Sequence, residues 1–118
     1  GQCDLAVCDV SFISITLILP ALTRILKPDG RFIGLIKPQF EAGRQNIGKG
    51  GIVKSREVHA EVIERVLAAA SALGLGCVGV ISSPIRGGDG NREYLALFVY
   101  GRERTVDARA ISTAVHGQ

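Results

Sequence analysis

The sequence has no apolar run long enough to cross a bilayer. The longest, around Ile13 to Leu26, is interrupted by Ser14, Thr16, Pro20 and Arg24, and falls short of the ~18 clean residues a spanning helix requires. A secretory leader is not expected, because the chain opens Gly-Gln-Cys-Asp without a basic segment. Cysteine is sparse: Cys3, Cys8 and Cys77 show neither C-x-x-C spacing nor even pairing. That argues against a disulfide framework and suits reduced thiols in a cytoplasmic protein, two of them packed in strands. Only His59 and His116 could assist them as metal ligands, and neither sits at ligand spacing, so no metal site is expected. No internal repeat or low-complexity segment is visible. Charge of one sign is also scarce: 14 Lys plus Arg against 11 Asp plus Glu leave a net +3, which permits a polyanionic partner without demanding one.

What remains is a chain of 118 residues, 47% apolar and 21% charged. A chain of this size buries roughly 60–70% of its unfolded surface, enough for a core without staples. Low hydrophobicity with high net charge, the mark of disorder, is absent. One modest globular domain, or a piece of one, is the expectation.

Asp4 to Asp9 reads as a short buried strand ending in a carboxylate. Ile13 to Lys27 reads as a helix, with Ile18, Leu22, Ile25 and Leu26 at helical spacing. Pro20 must then sit in the first turn or kink the helix. Lys27-Pro-Asp-Gly30 reads as a turn in which Pro fixes φ and Gly accepts φ > 0. Arg31 to Ile36 is a second strand, ending at Lys37-Pro38. From Gln39 to Lys54 the chain is Gly-rich and lacks an apolar period, a surface loop of the length that usually carries function. Ser55 suits the N-cap of the longest helix, which runs to about Leu73 with Glu57 in its first turn. Val58, Val62, Val66, Ala70 and Leu73, with Ile63 and Leu67, form its apolar stripe, and Gly74 closes it at C′. Leu75 to Ile81 is a third strand, Ser82 to Asn91 a polar loop and Glu93 to Tyr100 a fourth strand. The last two are too close in sequence for a helical crossover and should pair antiparallel. The tail from Arg102 reads as a weak helix through Val106, Ile111 and Val115, or as a fraying end. The order is that of an α/β fold. With four strands against the six or so of a doubly wound sheet, and a start almost directly on a strand, the chain looks like the second half of a larger domain.

In open α/β sheets, ligands bind outside the carboxyl ends of the parallel strands. Asp9 ends the first strand and Lys37 the second. Glu93 begins the last strand, which, if antiparallel, starts at that same rim. Three chargeable groups would then converge from distant parts of the sequence. Each also has a plain structural reading: Asp9 as a cap of the following helix, Lys37 as a solvated strand end, Glu93 as a surface partner of Arg86 or Arg92. Gly74-Leu-Gly-Cys-Val-Gly79 matches G-x-G-x-x-G by letter but follows a helix and enters a strand, the reverse of the dinucleotide-binding context. Arg86-Gly-Gly-Asp-Gly90 lacks the Lys-Ser/Thr ending of a P-loop. Arg44, Lys49, Lys54, Arg56 and Arg86 lie in the two loops beside the expected crevice, where they would suit nucleic-acid phosphates or simply a solvated surface. Phe40 and Tyr94 offer stacking surfaces, although Tyr94 suits the core better.

Five blocks carry a family resemblance: Cys8-Asp-Val-Ser-Phe-Ile-Ser14, Leu19-Pro-Ala-Leu22, Leu35-Ile-Lys-Pro-Gln-Phe-Glu41, Gly48-Lys-Gly-Gly-Ile-Val53 and Gly88-Asp-Gly-Asn-Arg-Glu-Tyr94. From about Asp4 to Phe98 the chain resembles the TlyA branch of the FtsJ-like methyltransferases, also called haemolysin A. The resemblance implies a class I, Rossmann-like methyltransferase fold that uses S-adenosylmethionine to methylate ribose 2′-hydroxyls of ribosomal RNA. Of the family's Lys-Asp-Lys-Glu tetrad it implies Asp9, Lys37 and Glu93; the first lysine has no counterpart here. It implies cofactor contacts at Asp9, Val10 and Ser11; with RNA as the substrate, the loop residues Arg44, Lys49, Lys54 and Arg86 are the expected RNA contacts. The Gly-rich cofactor loop and the RNA-binding domain that precede these motifs in the family are absent. Residues 1–101 would thus be the C-terminal half of the domain, with the last strand antiparallel and strands in the order 4-5-7-6. Residues 102–118 would be a tail. Such a piece is expected to be inactive alone. The alternative is a non-catalytic interaction module whose exposed first strand pairs with another chain, as in a homodimer. A haemolytic pore finds support in the family's second name only.

Overall fold

The computed structural model describes residues 3–9, 15–37, 56–83 and 92–116. The chain runs β1 (Cys3–Asp9), α1 (Ile15–Ile25), β2 (Leu26–Ile36), α2 (Arg56–Ala72), β3 (Leu75–Ser82), β4 (Tyr94–Tyr100) and α3 (Ala108–His116). The four strands form one sheet in the order β1-β2-β4-β3. β1 pairs parallel with β2, while β4 pairs antiparallel with both β2 and β3. β1, β2 and β3 therefore run the same way, and β4 is inserted against them. One rim collects the carboxyl ends of three strands and the amino end of the fourth.

Period-2 patterning decides which face of the sheet is covered. Phe32 and Ile36 on β2 alternate with half-buried Ile33 and Leu35; Tyr94, Ala96 and Phe98 on β4 alternate with half-buried Leu95 and Leu97. Phe32 stacks on Phe98 with ring centroids 5.6 Å apart. Onto this face α2 lays Val62, Ile63, Val66, Leu67 and Ala70, all essentially inaccessible. The stripe expected from sequence is the buried one, with Val58 and Leu73 at its half-buried margin. Gly74 takes a left-handed φ of 85°, and its N–H donates to the Ser71 carbonyl at 3.0 Å; a side chain would strain that C′ conformation. Ser55 and the whole of the preceding loop, from residue 38, lie outside the described residues.

The segment after β4 is built into the core rather than frayed. Thr105 and Val106 N–H groups both donate to the Cys77 carbonyl, at 2.9 and 3.2 Å, so this stretch lies along the outer side of β3. Val106, Ile111, Ala114 and Val115 join the same buried cluster as α2. Asp107 Oδ1 accepts the Ala110 N–H at 2.9 Å, an N-cap that starts α3. Cys77 is a free, buried cysteine, and loss of hydration pushes its thiol pKa up against a smaller opposing hydrogen bond from its neighbourhood.

Two local expectations are corrected, and that for Pro20 is narrowed to its second alternative. The first helix ends at Ile25, and Leu26 already belongs to β2; Leu22 is buried, but Ile25 is 44% exposed. Pro20 falls beyond the first turn of α1, where it removes one backbone donor. Lys27 to Gly30 is an excursion within β2 rather than a turn before it: Cys3 pairs with Leu26 and Leu5 with Arg31, so the β2 chain loops out between these rungs. The positive φ of that excursion, 63°, belongs to Asp29 and not to Gly30. Aspartate is among the few residues that tolerate the left-handed region.

Candidate active site

Lys37 and Glu93 meet because their strands pair. Ile36 on β2 lies opposite Tyr94 on β4, and each charged residue sits one step beyond that final rung, at the rim. Their side chains are 13% and 8% exposed, with Lys37 Nζ 3.9 Å from Glu93 Oε2. That separation is an electrostatic contact, wide of the ~2.8 Å of a charge-assisted hydrogen bond. The reading of Glu93 as a surface residue, and of Lys37 as a solvated strand end, is replaced by a sheltered pair. Removing two charges from water is costly and rarely adds net stability, so a sheltered pair at the ligand-binding rim of an α/β sheet marks a candidate site.

Asp9 closes β1 and pairs with Leu35 in the parallel ladder. Its backbone is thus at the same rim, two residues along β2 from Lys37, while its side chain lies outside what is described. Val10, Ser11, Phe40, Arg44, Lys49, Lys54 and Arg86 also lie outside the described residues. The two connections that carry the basic residues are nonetheless anchored here, one leaving after Lys37 and the other running from Ser83 to Arg92.

A buried histidine contacts Tyr94, the residue after Glu93, a role distinct from the metal ligation considered for it above. His59 on α2 is 4% exposed, and its Nδ1 lies 2.8 Å from the Tyr94 hydroxyl, with the rings edge to face. Tyr94 is fully buried, which settles it as core and not as a stacking platform. A signal was present: His59 continues the stripe through Ile63, Val66 and Ala70, and a polar side chain there needs a partner.

The G-x-G-x-x-G letters have a structural use. A Cβ on Gly76 would collide with the Arg102 carbonyl oxygen and lie 2.7 Å from the Glu103 carbonyl carbon, so the residue is small because the chain after β4 crosses it. Among the described residues, no cluster of His, Cys, Asp or Glu could hold a metal, and no helix is long and apolar enough to cross a membrane.

Residues 1–100 match the model of the FtsJ-like methyltransferase family. Over 95 residues the chain is 50% identical to "Putative rRNA methyltransferase YqxC" of Bacillus subtilis, covering 80% of this chain and 34% of that protein. It is 39% identical over 116 residues to the "16S/23S rRNA (cytidine-2'-O)-methyltransferase TlyA" of Mycobacterium tuberculosis, covering 98% of this chain and 43% of that one. A solved structure described as a "Putative hemolysin from Streptococcus thermophilus" superposes with a TM-score of 0.90 at 45% identity, over 98% of this chain and 42% of that one. The chain thus spans about two fifths of the length of these relatives. On the extent of the family match and these identities, the chain belongs to the FtsJ-like methyltransferases, with the α/β fold of that family and relatives named for rRNA methylation and as hemolysins.

Proposed function

We propose that this chain is part of an S-adenosylmethionine-dependent methyltransferase acting on ribose 2′-hydroxyls of ribosomal RNA in the cytoplasm, and that it corresponds to the C-terminal half of the catalytic domain. The observation that carries the reading is the sheltered Lys37–Glu93 pair at the rim, beside the strand tip that bears Asp9. The order β1-β2-β4-β3 supports equating the four strands with 4-5-7-6 of a seven-stranded sheet, the C-terminal segment that follows them being packed on the core of that domain.

The donor's ammonium and sulfonium groups call for carboxylates, and Asp9 and Glu93 supply two at this rim. When bound, the donor supplies an activated methyl group. What this chain must add is placement of the ribose oxygen and help with its proton. Lys37 steers the hydroxyl or takes its proton. Glu93 fixes Lys37 from the neighbouring strand. Asp9, with Val10 and Ser11, holds the methionine part of the donor. Arg44, Lys49, Lys54 and Arg86 hold RNA phosphates along the two connections that leave the rim.

The 118 residues alone are expected to bind the donor weakly and to transfer no methyl group. Calorimetric titration of the chain with S-adenosylmethionine tests this: micromolar binding would contradict it. Joining the chain to the remaining length its relatives possess should bring transfer to rRNA. A second reading, a non-catalytic module that forms a homodimer, is favoured by one feature. β1 is at the edge of the sheet and presents Leu5 at 55% exposure, a setting for strand pairing. A concentration-independent monomer in sedimentation would remove it.

A further inference from the structure

We infer that His59 is a positioning residue that sets the Lys37–Glu93 pair at the rim, acting on it through Tyr94. The inference rests on the proposed reading of that pair as the site of methyl transfer, and it adds a residue too buried to meet substrate, at 4% exposure. At 3.9 Å, Lys37 Nζ and Glu93 Oε2 attract without the direct hydrogen bond that would lock them to each other. Their spacing therefore follows the backbones that carry them, and both backbones meet at Tyr94.

Tyr94 is the hub of the last rung of the sheet. It lies opposite Ile36 of β2, the residue before Lys37, and opposite Ser82 of β3. Glu93, one step before it, is tied to β3 by the Ser83 N–H, which donates to the Glu93 carbonyl at 2.8 Å. Such ladder bonds act within the plane of the sheet. Across that plane, toward the helical layer, the Tyr94 hydroxyl and His59 Nδ1 share a hydrogen bond of 2.8 Å.

The helical end of that bond is stiff. His59 stands in the first turn of α2, whose Val62, Ile63, Val66 and Leu67 are essentially inaccessible. Tyr94 is fully buried as well, so neither partner can turn to water without opening the core. An aliphatic side chain at 59 would fill the stripe without the cost of burying an imidazole. What the polar pair adds is direction: a satisfied buried hydrogen bond selects one arrangement where apolar packing tolerates several. α2 also begins directly after the connection that leaves the rim at Lys37. Lys37 before that connection and His59 just beyond it are both referred to the same rung.

The test separates position from stability. His59→Leu combined with Tyr94→Phe removes both polar partners and should regain part of the folding stability that Tyr94→Phe alone loses. It should not regain the position of the pair. In the 118-residue chain, ¹³C relaxation of the lysine ε-methylenes should show Lys37 more ordered than the exposed Lys27 at the other end of β2, and the double variant should bring Lys37 toward Lys27. His59→Asn keeps a polar group near the place of Nδ1 and should keep Lys37 ordered. In the protein at the full length of its relatives, the double variant should lower kcat by about 10-fold with KM for rRNA unchanged, short of the ~10²-fold that a 1 Å misplacement can cost. A folded double variant with Lys37 as ordered as in wild type, or with unchanged kcat, would overturn the inference, as would an Asn variant as loose as the double one. If the double variant does not fold, Tyr94→Phe alone carries the same comparison. A wild type that transfers no methyl group would end the methyl-transfer reading, and the relaxation comparison would still decide whether His59 sets the pair.

Discussion

The Tyr94 hydroxyl and His59 Nδ1 share a hydrogen bond of 2.8 Å in the buried layer between β4 and α2, one residue from the carboxylate that faces Lys37. The contact ties the first residue of β4 to α2 and so fixes where the rim begins. Tyr94→Phe keeps the ring and strands the imidazole nitrogen without that partner. The expected cost is about 1–3 kcal/mol, the penalty for an orphaned buried polar group, read as a lower midpoint in urea unfolding. His59→Leu with Tyr94→Phe should recover part of the loss, since removing both polar partners avoids the orphan.

Gly76→Ala should destabilise the chain by more than the ordinary effect of a side chain in a strand. The new methyl meets the Arg102 and Glu103 backbone, and neither can swing aside as a flexible side chain would. Displacing that segment also disturbs the two N–H groups that bond the Cys77 carbonyl. A loss of about 1–3 kcal/mol is expected from overpacking, with α3 the first element to lose amide-exchange protection. Gly79→Ala, where a Cβ meets nothing within 4 Å, is the control and should cost far less.

Acid should weaken the chain partly through Glu64. Arg104 donates to both its carboxylate oxygens at 2.7 Å, and this hydrogen bonding holds the Glu64 carboxyl below the usual carboxylate range. A carboxylate whose folded pKa is depressed contributes stability above its unfolded pKa and loses it as the pH falls through the folded one. Glu64 is 49% exposed, so solvent screens the pair and its worth is under about 1 kcal/mol. Glu64→Gln should lower stability at neutral pH, and the difference from wild type should vanish as the pH drops below the folded pKa.

The elements that the sequence declared plainly were those whose packing follows their own period. The α2 stripe from Val62 to Ala70 and the apolar run of β4 are buried as the spacing implied, and β4 pairs antiparallel because its connection to β3 is too short for a crossover. Local turn chemistry misled at Lys27 to Gly30, where pairing with β1 absorbed the Pro-Asp-Gly stretch as an excursion inside a strand. Lys37 and Glu93 could be brought to one rim by topology alone, because strand direction fixes which end each occupies. The His59–Tyr94 contact, spanning 35 residues, and the meeting of Arg56 and Arg92 on the Val115 carbonyl depend on how helices seat on the sheet. No spacing rule within a single element encodes that.

The central claim is that Lys37, held by Glu93, handles the ribose hydroxyl. Its most direct measure is transfer of labelled methyl from S-adenosylmethionine to ribosomal RNA by the protein at the full length of its relatives, comparing wild type with Lys37→Ala. The account predicts that the variant folds, still binds donor and RNA, and loses turnover by about 10²-fold or more, the range for a positioned acid–base group. Turnover within a factor of two or so of wild type would contradict it.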